Sequence, residues 1–118
     1  MTNTFRAYKA IVQTTATVVV PQAGANNANG QSRGAGVAQS VIHALYISNV
    51  NATTAVKVNI DVYDGATAFR IGYQLPIAAG ATLVLDKVVN LESGDRLRIS
   101  VNTSNGDVEA IASVLEIS

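Results

Sequence analysis

Cysteine and tryptophan are both absent from the 118 residues, and histidine occurs once. Without thiols the chain has no disulfide, no thiolate nucleophile and none of the usual structural zinc sites, and its redox compartment is left open. Charge is also scarce. Only 14% of residues are Asp, Glu, Lys or Arg, against about 25% in ordinary soluble domains. Eight basic residues balance eight acidic ones, so no net field recruits a phosphate backbone or an anionic bilayer, and neither nucleic acid nor membrane is expected as a partner. No stretch approaches the roughly 18 apolar residues of a membrane span. Arg6 and Lys9 precede an apolar run in the manner of a signal peptide. However, Gln13, Thr14, Thr15 and Thr17 interrupt Ala10 to Val20, which reads as a strand instead.

What is present is a globular composition, 48% hydrophobic, on a chain sized for one domain with one core. Val56, Val58, Ile60 and Val62 alternate with Lys57, Asn59, Asp61 and Tyr63, the period of a strand with one wet face. Leu97, Ile99 and Val101 repeat this against Arg96, Arg98, Ser100 and Asn102, and Ile71, Tyr73 and Leu75 repeat it against Arg70, Gly72 and Gln74. Four further β-branched or apolar runs, at about 5–20, 40–49, 81–89 and 107–117, bring the total to about seven strands. Turn chemistry separates them: Asp64-Gly65, Pro76 to Gly80, Glu92-Ser93-Gly94-Asp95 and Ser104-Asn105-Gly106-Asp107. No window holds a 3.6-residue period. The pattern predicts an all-β fold, a single antiparallel β-sandwich of jelly-roll or immunoglobulin-like type spanning residues 1–118.

Residues 21–36 stand apart. PQAGANNANGQSRGAG contains no large apolar side chain and one charge, Arg33. Such a segment is expected to be a flexible loop that buries nothing and is free to meet a partner through Pro21, Gln22, Asn26, Asn27, Asn29, Gln31 and Arg33. Because loop-closure entropy grows slowly with length, shortening it should change stability by no more than roughly 1 kcal/mol.

Catalytic constellations are not evident. His43, the one histidine, lies inside a strand run and reads as a packed or rim residue. Asp61, Asp64, Asp86, Glu92, Asp95, Asp107, Glu109 and Glu116 sit mostly in or beside turns, where carboxylates cap loops. Glu92 with Asp95 is the nearest approach to a calcium cluster, but the spaced acidic loop of a calcium site is missing. Neither GxGxxG nor GxxxxGK[ST] occurs. Without tryptophan, an aromatic platform for sugars would have to come from Tyr8, Tyr46, Tyr63, Tyr73, Phe5 and Phe69, several of which the core needs. Arg70, Arg96 and Arg98 are placed for a basic stripe on neighbouring strands. The expectation is a non-enzyme with no cofactor and no metal.

Four segments, FRAYKAIVQTTATVVVPQ, VIHALYISNVNATTAVKVNIDVYDG, LPIAAGATLVLDKVVNLESGDRLRISV and VEAIASVLEIS, resemble small virion structural proteins of tailed bacteriophages. Segment 21–36 falls almost entirely outside them. The resemblance implies a β-sandwich made in the host cytoplasm and carried in many copies on the virion, often as a homotrimer. Its role would be capsid decoration or cementing between major capsid subunits, with a tail, neck or baseplate part, or a carbohydrate- or receptor-binding module, as the alternatives. A coat of Ala, Thr, Asn, Ser and Gly in place of charge suits a surface that faces protein more than water.

Overall fold

Strands with one apolar side must pair edge to edge and then hide that side, and the chain does so with two antiparallel sheets. The computed structural model describes residues 3–103 and 108–118, and the described residues contain strands and turns but no helix. In chain order the strands are β1 (Asn3–Ile11), β2 (Thr17–Val20), β3 (Gln39–Asn49), β4 (Val56–Tyr63), β5 (Ala68–Ile77), β6 (Thr82–Leu85), β7 (Val89–Glu92), β8 (Arg96–Val101) and β9 (Val108–Ile117). One sheet runs β1-β9-β3, with β6 and β7 end to end along the outer side of β3; the other runs β2-β8-β4-β5. The fold is the β-sandwich expected. The strand count rises from about seven to nine because two apolar runs are each broken where the chain turns: 5–20 yields β1 and β2, and 81–89 yields β6 and the start of β7. The Ser104 to Asp107 turn lies outside the described residues.

Register shows which side chains face inward. Val58 pairs with Val101, Ile60 with Ile99 and Val62 with Leu97, so the alternating rows of β4 and β8 coincide and enter the core together. Tyr8 and Ala10 of β1 with Val12 just past its end, Ile42, Leu45 and Ile47 of β3, and Ala110, Ala112 and Val114 of β9 meet them from the other sheet. Each large aliphatic side chain buried in this way contributes about 1.5–3 kcal/mol. Strand β5 departs from the expected pattern: its register against β4 shifts twice, and Ile71 and Tyr73 are exposed. Gln74 sits at φ 52°, and its N–H is taken up by Asn59 Oδ1 at 2.8 Å. These are bulges, and each extra residue resets the inward-outward alternation that a sequence period presumes.

The ends are closed by polar pins. At the β3–β4 crossover, buried Asn49 donates to the carbonyls of Thr54 at 2.8 Å and of Ile77 and Ala78 at 3.3 Å, and its Oδ1 accepts from Asn51 N at 3.1 Å. A single amide thus ties the turn leaving β3 to the one leaving β5.

Ile60→Asp or Ile99→Asp places an unpaired charge in the paired inward row and is expected to abolish the cooperative thermal transition. Lys57→Ala, on the wet side of the same strand, is expected to stay within about 0.5 kcal/mol of the parent. Circular dichroism melts of the three variants check the facing.

Candidate interaction site

Segment 21–36 is not the loose, outward-reaching loop the sequence suggests, and this is the main correction. Arg33 is 0% exposed. Its Nη1 donates to the Pro21 carbonyl at 3.1 Å and the Asp95 carbonyl at 3.3 Å, and its Nη2 to the Glu92 carbonyl at 3.2 Å. The guanidinium fork therefore pins the segment to the β7–β8 turn, helped by Ala23 N to Ser93 O at 2.8 Å. Asp95 Oδ2 in turn accepts from Glu92 N at 2.9 Å, so this carboxylate caps the turn. Burial pulls the Arg33 pKa below its ordinary value, while Tyr8, Glu116 and Asp95 act the other way, and a guanidinium stays charged throughout.

Asn27 is buried as well. Its amide donates to Val19 O at 2.8 Å and Lys9 O at 3.1 Å. Gln31, half-buried, accepts from Lys9 N at 2.6 Å and donates to Ala7 O at 2.9 Å. Two side-chain amides thus stand where a strand partner would stand, and they cover the free edge of β1. Pro21 is buried and Gln22 half-buried with its side chain on Arg96. Of the residues expected to reach a partner, Asn26 and Asn29 are exposed, although Asn26 Oδ1 already accepts from Ser32 Oγ at 2.6 Å. Beneath the segment, Tyr8 donates its hydroxyl to the buried Glu116 carboxylate, which lies 3.9 Å from Arg6 Nη1. Desolvation first, and Glu116 second, push the Tyr8 hydroxyl well above the usual tyrosine value.

The surface left for a partner is elsewhere, on the outer face of the larger sheet. Register lines up Lys9, Ile111, Tyr46 and Val84 in one row across β1, β9, β3 and β6, and Phe5, Leu115, Val41 and Asn90 in another across β1, β9, β3 and β7. Phe5 is 74% exposed, and Ile11, Tyr46, Val84 and Ile111 are each more than two-fifths exposed. His43, displaced by the β3 bulge, is exposed and tilts its ring over Phe5 at 5.9 Å. Exposed Asp86 and Lys87 link β6 to β7 at the sheet edge, and on β1 and β9, from the Phe5 row to the Ile11 row, the outward formal charges are Lys9 and Glu109. Both line a shallow cleft of about 230 Å³ with Ile11, Ile111 and Asn29.

Across the molecule, Arg98 pairs with Asp61 at 2.9 Å and lies 4.0 Å over the Tyr63 ring; Arg96 approaches the same ring at 5.0 Å, and Arg70 stacks on Tyr73 at 4.8 Å. The expected arginine stripe exists, but its charges are engaged with rings and one carboxylate. Among the described residues no three His, Cys, Asp or Glu side chains gather as a metal site would require. Asp64 accepts from the backbone of Ala66 and Thr67, which holds its carboxyl below the usual range.

No family model matches the chain, and no curated protein matches it. Among solved structures, a pentameric capsid protein isolated from metagenomic phage sequences aligns with a TM-score of 0.49 at 16% identity, over 93% of this chain and 59% of that one. A second structure described as a pentameric capsid protein from metagenomic phage sequences, solved by iodide phasing, aligns at 0.44 and 18% identity, over 93% and 64%. The chain thus spans less than two thirds of the length of either.

Arg33→Ala strands three backbone carbonyls and is expected to cost at least about 3 kcal/mol, with Arg33→Lys a poor substitute because an ammonium cannot span the fork. Deleting 24–34 removes Asn27, Gln31 and Arg33 together and should cost more than the point variant, not the roughly 1 kcal/mol of a free loop. Urea titrations give both values. The raised Tyr8 pKa sets a second expectation. Below about pH 10 folded and unfolded tyrosine are both protonated; above it the unfolded chain loses the proton first, so stability falls as pH rises. Tyr8→Phe should flatten that alkaline decline in a series of melts.

Proposed function

We propose that the chain is a structural protein of a tailed-phage virion, a homo-oligomer that decorates or cements the capsid by burying its apolar sheet face at symmetric junctions between subunits. The observation that carries this reading is the outer face of the larger sheet, where Phe5, Ile11, Tyr46, Val84 and Ile111 stand exposed among few charges. With strands about 4.8 Å apart and about 3.4 Å per residue, the patch measures on the order of 450 Å². That area, which includes Lys9 and Glu109, is of the size of the largest apolar patch on a typical monomer, a patch that is often functional, and it supports a contact with protein. The four segments that resemble virion proteins supply the class of particle, and a homotrimer is the copy number that goes with that resemblance.

A protein that binds only the assembled shell stabilises it by mass action. Phage particles produced without this chain are therefore expected to release their DNA at a lower temperature, and adding back the purified protein should restore the parent value. Ile111→Lys, on an exposed position, should leave the domain's own melting within about 0.5 kcal/mol while losing both assembly and particle occupancy. Cryo-electron microscopy of the particle locates the density. Density on tail or baseplate would move the protein to that part of the virion, and normal occupancy by Ile111→Lys would remove the sheet face from the interface.

A further inference from the structure

The charges of the chain cancel in sum, eight against eight, but the fold does not leave them mixed. The outer face of the smaller sheet carries Lys57, Arg70, Arg96 and Arg98 and, among its outward strand residues, one carboxylate, Asp61. That face has an excess of three positive charges. The rest of the chain, with four basic and seven acidic residues, carries the matching negative excess. Absence of a nucleic-acid partner was expected from the sum alone, and a sum is blind to this sorting.

Register sets the geometry. Arg98, Asp61 and Arg70 lie in one row across β8, β4 and β5, with Arg96 and Tyr63 in the next. Asp61 takes Arg98 at 2.9 Å, and among the described residues no other carboxylate pairs with any of the four cations. Asp64, in the turn beyond Tyr63, already accepts from Ala66 and Thr67. The tyrosine rings hold Arg96 and Arg98 over Tyr63 and Arg70 over Tyr73, and attraction to a ring leaves a guanidinium its full charge. Arg70 and Lys57 are exposed. Between the arginine row and Lys57 the outward groups are Asn59, Ser100 and Asn102, neutral side chains of the kind that accompany arginine on phosphates.

We propose that this face binds the phosphate backbone of duplex DNA without sequence preference. Three guanidiniums among four cations is the donor set that phosphate oxygens favour. Strand geometry spreads them over about 10 Å from Arg98 to Arg70 and about 20 Å from Arg96 to the level of Lys57. A duplex places a phosphate every ~1.7 Å of its axis along such a span, counting both strands. The rings argue against a single strand, because unstacked bases need free aromatic faces, and Tyr63 and Tyr73 already carry guanidiniums. A sheet face offers no helix or ribbon to enter a groove and read bases. The proposal does not rest on the virion reading, whose apolar surface belongs to the other sheet.

Fluorescence anisotropy of a labelled, mixed-sequence duplex tests it. Binding is expected with a Kd of about 100 µM or tighter at about 50 mM salt, in the range of non-specific contacts. Three neutralised phosphates give a slope of log K against log salt of about −2.7, so binding should be roughly 40-fold weaker at about 200 mM. Arg70→Ala and Lys57→Ala, both outside the Asp61 pair, should each weaken binding and reduce the slope by about one. Lys9→Ala and Lys87→Ala, off the face, should change neither, and circular dichroism melts check that all four variants fold. No anisotropy change at about 1 mM protein in low salt would overturn the proposal. Equal losses in Lys9→Ala or Lys87→Ala would overturn it in favour of diffuse charge. Tighter binding of a single strand of the same length would overturn the choice of duplex, and polyglutamate held as tightly as DNA would move the face to an acidic protein partner. Particle occupancy by Ile111→Lys reports separately on the other sheet.

Discussion

A guanidinium buried among backbone carbonyls fixes the path of everything around it. Arg33 can leave water only because the Pro21, Glu92 and Asp95 carbonyls converge on its fork, one from the start of the 21–36 excursion and two from a turn some sixty residues later in the chain. To bring them together, the segment must leave β2, fold back on itself between Asn26 and Ser32, and return to β3 across the β1 edge. Its polar side chains then face backbone instead of solvent. The same path puts Ser32 O within reach of Arg6 Nη1 and encloses the Tyr8 to Glu116 contact. Loss of the Arg33 contacts would therefore be felt in edge protection and in one wall of the core together.

How much of this can be read in the sequence depends on whether parity carries the information. The inward rows of β4 and β8 follow from alternation alone, since no bulge interrupts their pairing. Glu116 and Asn49 were legible in principle. Glu116 continues Ala110, Ala112 and Val114 at even spacing, and Asn49 continues Leu45 and Ile47, so parity points both inward despite their polarity; the polarity signals a pinned end, not an exposed one. Ile71 and Tyr73 fail for the opposite reason. Their alternation is regular in sequence, but two register shifts turn it out of phase in space. Arg33 offers no such handle. A coil has no period, and the composition of 21–36 cannot distinguish a segment that buries nothing from one that buries a single fork against carbonyls supplied elsewhere.

The outer sheet face raises a different issue, because its strands satisfy the same alternation as those of an ordinary sandwich. In an ordinary domain the outward positions of β1, β3 and β9 would hold charge. Here Phe5, Ile11, Tyr46 and Ile111 take four of them, and Lys9 and Glu109 carry the charge that remains among them on β1 and β9. Arginine is kept for the opposite sheet, where Arg70, Arg96 and Arg98 lie over tyrosine rings and Asp61. One sheet thus rests its cations on rings and a carboxylate, while the other sets Phe5, Ile11, Tyr46, Val84 and Ile111 outward around Lys9 and Glu109, which makes it the more apolar of the two faces and the better suited to meet protein.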